Sequence, residues 1–218
     1  MTWGGTTHRL ALNDGRVLDA ALLVAADGAN SWLRGQAGIG VDVEDYQHVG
    51  VVANFETARP HRGIAWQWFR EDGVLAYLPL PGRRISIVWS TPTALAPERL
   101  ALAPEVFASE VARAGAGVLG ALHCVTPQVG FPLRRRRARE WVRPGLVLLG
   151  DAAHTVHPLA GQGVNLGFRD SRLLATLLAT GGNPGELGRL QAYAVRRMED
   201  VALMQTDRKS TRLNSSHI

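Results

Sequence analysis

Ala20-Ala-Leu-Leu-Val-Ala-Ala-Asp-Gly-Ala-Asn-Ser-Trp-Leu-Arg34 is the stretch on which the fold turns. Its first seven residues are apolar without a break, the pattern of a strand buried on both faces in a sheet covered by helices. Asp27-Gly28 ends the run, and Ser31 to Ala37 reads as a short helical or turn segment. Open α/β sheets bind ligands outside the carboxyl ends of their strands, so an acidic turn in this place is a candidate site. Just upstream, Leu10 and Leu12 alternate with polar neighbours, Asn13-Asp14-Gly15 supplies a turn and Val17 begins a return, which predicts a hairpin.

A second, similar arrangement follows far along the chain. Leu146-Val-Leu-Leu-Gly-Asp151 is again a short apolar run closed by Gly150-Asp151, and after a polar loop His157-Pro-Leu-Ala-Gly-Gln-Gly-Val-Asn165 opens a helix. Asp151 at a strand tip can accept hydrogen bonds from a sugar-like hydroxyl chain. Gly161 and Gly163 let backbone approach a flat ligand, and the first N–H groups of the helix are unpaired and favour negative charge. A reduced flavin is one ligand that needs such a place. The helix, Asn165 to Thr180, carries Leu166, Leu173, Leu174, Leu177 and Leu178 on one stripe and stops at Gly181-Gly182. A second helix from Glu186 to about Met204 presents Leu187, Leu190, Ala194, Met198 and Val201.

Between the two acidic turns the pattern is β-rich. Val49 to Phe55, Ile64 to Phe69, Val74 to Leu80 and Arg84 to Trp89 are predicted strands, separated by Arg59-Pro60, Glu71-Asp-Gly73 and Pro81-Gly82. Pro97 to Ala114 is helix-like with a break near Pro104, and Leu122 to Leu133 adds a further strand.

Composition removes several classes of function. The 218 residues are 46% apolar, yet the apolar runs are only a few residues long, whereas a membrane-spanning helix needs about 20. Cys124 is the single cysteine, which excludes an internal disulfide and a cysteine-rich zinc site and fits a reducing, cytoplasmic setting. Arg208, Lys209 and Arg212 supply three of the five net positive charges, so the body is nearly balanced. The tail from Arg208 to Ile218 has no apolar stripe and reads as disordered or foreign to the natural protein.

Other motifs carry less. Gly115-Ala-Gly-Val-Leu-Gly120 matches a dinucleotide fingerprint by letter but follows a helix instead of a buried strand, and so reads as a helix end and loop. The basic run from Phe131 to Trp141 reads as a solvated connection, with a nucleic-acid module using Arg134 to Arg143 as the alternative. Asp151, His154 and His157 lack a recognised metal-ligand spacing, so no metal is expected, and there is no Gly-x-Ser-x-Gly hydrolase elbow.

Ala26-Asp-Gly-Ala-Asn-Ser-Trp-Leu-Arg34 resembles the "DG" motif of single-component flavoprotein aromatic hydroxylases, and Gly150-Asp-Ala-Ala-His154 with Pro158 to Asn165 resembles their "GD" motif. Gly63-Ile-Ala-Trp-Gln-Trp68, Leu78-Pro-Leu80 and Ser86-Ile-Val-Trp-Ser90 are similar to the ubiquinone-biosynthesis group in particular. The resemblance covers nearly all of residues 9–207. It implies an α/β fold with an α+β insertion: an incomplete FAD/NAD(P)-binding domain of the glutathione-reductase-like type, built from residues 1–40 and 138–207, and a β-sheet substrate domain from 41–137.

The implied cofactors are FAD and NAD(P)H as its reductant. Asp151 would bond the ribityl chain, with Gly150 closing the strand before it. The backbone of Gly161, Gln162, Gly163, Val164 and Asn165 would face the pyrimidine side of the isoalloxazine, and Pro158 would lie beside its reactive edge. Asp27, Gly28, Ser31 and Arg34 would support the pyrophosphate region. The implied reaction is hydroxylation of a phenolic ring through a C4a-hydroperoxyflavin, with a polyprenyl phenol of ubiquinone synthesis as substrate and no catalytic side chain assigned. Peripheral contact with the inner membrane face and membership of a ubiquinone-biosynthesis complex are implied partners. Other flavoenzymes of the same fold, such as halogenases, reductases or other aromatic hydroxylases, are the alternative. The family's Gly-rich FAD fingerprint does not occur in this sequence, and the 218-residue chain alone is therefore expected to bind FAD poorly and to be inactive.

Overall fold

In the computed structural model, which describes residues 7–156 and 162–214, the chain divides into two units, residues 1–44 with 134–218 and residues 45–133. The sequence placed the corresponding divisions after residues 40 and 137.

The first unit opens with the hairpin of β1 (His8–Ala11) and β2 (Val17–Ala20), antiparallel with His8 opposite Ala20. Gly15 takes φ +83° at its turn, a left-handed conformation that costs glycine nothing. β3 (Leu23–Ala25) then leads through the Asp27 turn to α1 (Trp32–Gln36). Late in the chain come β10 (Val142–Arg143), β11 (Leu146–Leu148), a 3-10 turn (Gly150–Ala152), β12 (His154–Thr155), and the helices α4 (Gln162–Leu178) and α5 (Leu187–Asn214). β3 pairs parallel to β11, Leu23 with Leu146 and Ala25 with Leu148, and β10 flanks β11 antiparallel. Leu146 to Leu149, Leu166, Leu174, Leu190 and Tyr193 form the core beneath.

The second unit is an antiparallel sheet with two helices. Its strands are β4 (Val41–Thr57), β5 (Trp66–Arg70), β6 (Gly73–Leu80), β7 (Arg84–Pro92), β8 (Leu122–Cys124) and β9 (Val129–Ala138); β4 and β9 begin or end in the first unit. The order is β9-β4-β7-β6-β5, with β8 also on β4. Strand alternation sends Val51, Ala53 and Phe55, Leu75 and Tyr77, and Ile85, Ile87 and Trp89 to one face. Phe107 and Val111 of α3 (Pro104–Ala114) cover that face, and the Tyr77 hydroxyl donates to the Val111 carbonyl at 2.6 Å. The shorter helix α2 (Ala96–Ala101) precedes it; Pro104 begins α3 because proline lacks the N–H a continuous helix would require there.

Several expectations change. Of the apolar run, Ala20 ends β2 and Leu23 to Ala25 form β3; Val24 is 42% exposed, so β3 is buried on one face. Leu122 to Leu133 is two strands, not one. The basic run is a strand as far as Ala138, with Leu133 and Ala138 buried, Arg134 and Arg137 exposed, and Arg135 and Arg136 half-buried. The loop after Asp151 contains β12, which pairs with the end of β9. α5 continues to Asn214, since no glycine or proline occurs between Leu203 and Asn214 to interrupt a helix already nucleated.

Candidate functional site

The parallel pairing of β3 with β11 brings the two acidic turns to the same edge. Ala25 and Leu148 are partners, the Leu149 N–H donates to the Ala25 carbonyl at 2.9 Å, and Asp27 and Asp151 follow immediately. The turns are also tied directly: the Arg34 guanidinium donates to the carbonyls of Ala152 at 2.8 Å and Ala29 at 2.9 Å.

The first turn is a capping structure. The Ser31 hydroxyl accepts from the Arg34 N–H at 3.0 Å and caps α1, and Asp27 accepts from the Leu33 N–H at 3.2 Å. Burial raises the Asp27 carboxyl, but bonds from Ser31 and from backbone N–H groups of Leu33 and its neighbours outweigh it, and the net pKa lies below the ordinary carboxylate range. Gly28, at φ +83°, makes the reversal. Arg34 is buried, and its donors go to backbone oxygens. These two bonds tie the turns together.

In the second turn Gly150 takes φ +54° and Asp151 is exposed, its carboxylate unpaired with any described residue. α4 begins at Gln162; Val164 is 64% exposed, Asn165 is exposed and Gly163 half-buried. His157, Pro158 and Gly161 lie outside the described residues. An exposed carboxylate acceptor and a helix start whose first N–H groups have no partner within the helix form a set that fits FAD: the first suits the ribityl hydroxyls, the second the electron-rich pyrimidine edge.

Sequence reasoning missed the polar cluster behind this edge. The fully buried Asp170 of α4 accepts from the Gly150 N–H at 2.9 Å and from His154 Nε2 at 2.7 Å on one oxygen, and from Arg197 Nε at 2.6 Å on the other. Arg197 also pairs with Asp200. The His154 ring stacks on Trp141 with centroids 4.9 Å apart, and the Tyr193 hydroxyl donates to the Leu148 carbonyl at 3.1 Å. Burial drives the Asp170 carboxyl up, but His154, Arg197 and Gly150 together hold it below its ordinary range. One signal was available: Asp170 and Arg197 sit on the apolar stripes Leu166, Leu174 and Leu190, Ala194, Val201, where opposite charges on facing helices announce a pair.

His154 is thus engaged with a carboxylate and a ring. Along the basic run, Arg135 pairs with Glu44, Arg139 with Asp42 and Arg143 with Glu140. No helix among the described residues is long and apolar enough to cross a membrane.

Comparison with known proteins supplies the family. Residues 5–206 match the FAD binding domain family. The chain is 39% identical over 212 residues to ubiquinone hydroxylase UbiL of Rhodospirillum rubrum, covering 95% of this chain and 49% of that protein. It is 40% identical over 205 residues to 3-demethoxyubiquinol 3-hydroxylase of Escherichia coli, covering 91% and 52%. The chain spans about half the length of the curated relatives it matches. Among solved structures, PqsL of Pseudomonas aeruginosa, a probable FAD-dependent monooxygenase, superposes with a TM-score of 0.74 at 28% identity over 87% of this chain and 54% of that one. The α/β architecture with its large inserted sheet, the paired acidic turns and the family match agree: the chain belongs to the FAD binding domain family.

Proposed function

We propose that the full-length protein is an FAD-dependent monooxygenase that hydroxylates a phenolic ring, a polyprenyl phenol of ubiquinone biosynthesis, using NAD(P)H as reductant. The observation carrying this reading is the parallel register of β3 and β11, which sets the Asp27 and Asp151 turns at the same strand ends, the second of them bonded to α4. The similarity to ubiquinone-biosynthesis hydroxylases supports the substrate class.

Bound FAD supplies the two-electron chemistry by which one oxygen atom of O2 enters the ring and the other leaves as water, at the expense of one NAD(P)H. This chain's residues bind and orient. Asp151 accepts from the ribityl hydroxyls. The N–H groups of Gln162 to Asn165 stabilise negative charge at the ring system. Arg34, with Ser31 and Asp27 capping α1, keeps the two turns at fixed separation. The sheet of the second unit provides the substrate surface, and a polyprenyl substrate brings the protein to a membrane face.

The test is a turnover assay on the full-length protein with 18O2, NAD(P)H and a short-chain polyprenyl phenol. One 18O atom in the product ring, dependent on added FAD, is the expected result. NAD(P)H consumption with no ring oxygenation for any phenol of this class would contradict the substrate assignment.

A further inference from the structure

We propose that Asp170 is a positioning residue for the cofactor: its buried carboxylate clamps the Gly150–Asp151 turn to helix α4, so that the two elements that would meet FAD form one rigid piece. The proposal rests on the flavoprotein reading of the same edge. None of the motif residues accounts for this group, and its three bonds reach the right places. One oxygen takes the N–H of Gly150, the residue just before the exposed Asp151. The same oxygen takes His154 Nε2, which must carry a hydrogen because an ionised carboxylate only accepts. The other takes Arg197 Nε from α5. Asp170 itself stands about two turns along α4 from its first residues, Gln162 to Asn165.

The surroundings are built for close approach. A Cβ placed on Gly150 would lie 3.7 Å from the Gly167 Cα, in ordinary van der Waals contact, so turn and helix lie close together at these two glycines. Such contact between glycines is smooth, and alone it would let the turn slide along the helix. A directed hydrogen bond to Gly150 removes that freedom. His154 cannot yield, since its ring is stacked on Trp141 and fully enclosed, and Arg197 is held by Asp200 as well. A buried ionic cluster gives little stability over apolar packing of the same volume; its best-attested use is to select one arrangement. Here the arrangement selected is the distance between an acceptor for hydroxyls and a set of N–H donors, which a binding site must hold within about 0.5 Å.

The test uses the full-length protein with Asp170→Asn, Asp170→Glu and the control Tyr193→Phe, which removes a buried hydrogen bond to the Leu148 carbonyl in the same core and leaves the Gly150, His154 and Arg197 bonds to Asp170 in place. Hydrogen exchange on the FAD-free protein comes first. The Gly150 amide is expected to be protected like the amides of β11 in the unmodified protein, and to exchange at least about tenfold faster in D170N while β11 is unchanged. FAD fluorescence titration comes second: D170N and D170E are expected to bind about ten- to a hundredfold more weakly, because a longer arm keeps the charge but not the distance, whereas Y193F keeps its affinity. Unaltered FAD affinity and unaltered Gly150 exchange in D170N would overturn the clamp. So would a loss of affinity in Y193F equal to that in D170N, which would mark general destabilisation. If D170N does not fold, the unmodified protein decides, and a Gly150 amide exchanging like an open turn overturns the proposal. Absence of FAD binding by the unmodified protein would refute the flavoprotein reading, while the Gly150 exchange rate would still judge the clamp.

Discussion

Asp170 shows how much one side chain can carry and how its charge state is set. Desolvation raises its pKa, yet three donors lower it further than burial raises it, so the folded value lies below the ordinary Asp value of about 4. A carboxyl depressed on folding contributes stability that is present above its unfolded pKa and is lost as pH falls through the folded one. Acid unfolding between about pH 4 and pH 2 should therefore be shallower in D170N than in the unmodified protein. At neutral pH the substitution should cost about 3–5 kcal/mol in chemical denaturation, because Arg197 and His154 lose a buried partner. Tyr193→Phe should cost about 1 kcal/mol and leave the acid slope alone, since the ring stays packed and one neutral hydrogen bond is lost. Equal acid slopes in D170N and the unmodified protein would contradict this assignment. At this scale the sequence was least legible. Asp27 and Asp151 stand at strand ends where an acidic residue is conspicuous, but Asp170 and Arg197 interrupt apolar stripes and are explained by partners that only the fold brings beside them.

At the scale of elements, local chemistry carried the reading and long-range pairing carried what it missed. The turns at Asn13-Asp-Gly15, Glu71-Asp-Gly73 and Pro81-Gly82 were legible because glycine and proline act within a few residues. The length of β3 was not, because an apolar run does not say which residues find a ladder partner; here β11 offers three. The division between β8 and β9 follows from a partner 72 residues away, where Thr126 Oγ1 accepts the Asn54 N–H. Gly73 gives this scale its test. Its φ is +130°, and a Cβ there would lie 1.9 Å from the Ser90 carbonyl oxygen on the neighbouring β7. Gly73→Ala should cost about 1–3 kcal/mol or more in urea denaturation as β6 and β7 are forced apart. Gly63→Ala, at φ +72° with open space around it, should cost only its backbone strain of about 1–2 kcal/mol. Equal losses in both would show that the close approach at Ser90 is unimportant.

For the whole molecule, two separate cores divide the work that the proposed cofactor site would need. The first unit spends its core on two parallel strands and the helices α4 and α5, and the strand ends become a platform. The second spends its core on a sheet and α3. The resemblance read from two short motifs and the family match point to the same cofactor, because both motifs fall at the ends of strands that the fold makes neighbours. The sharpest measurement is an FAD fluorescence titration of the full-length protein with and without Asp151→Ala. Loss of a charge-assisted hydrogen bond is worth about 1.5–3 kcal/mol, so the expected result is an FAD dissociation constant raised about ten- to a hundredfold with thermal stability unchanged. An unaltered dissociation constant would contradict the assignment of this edge as the seat of the flavin.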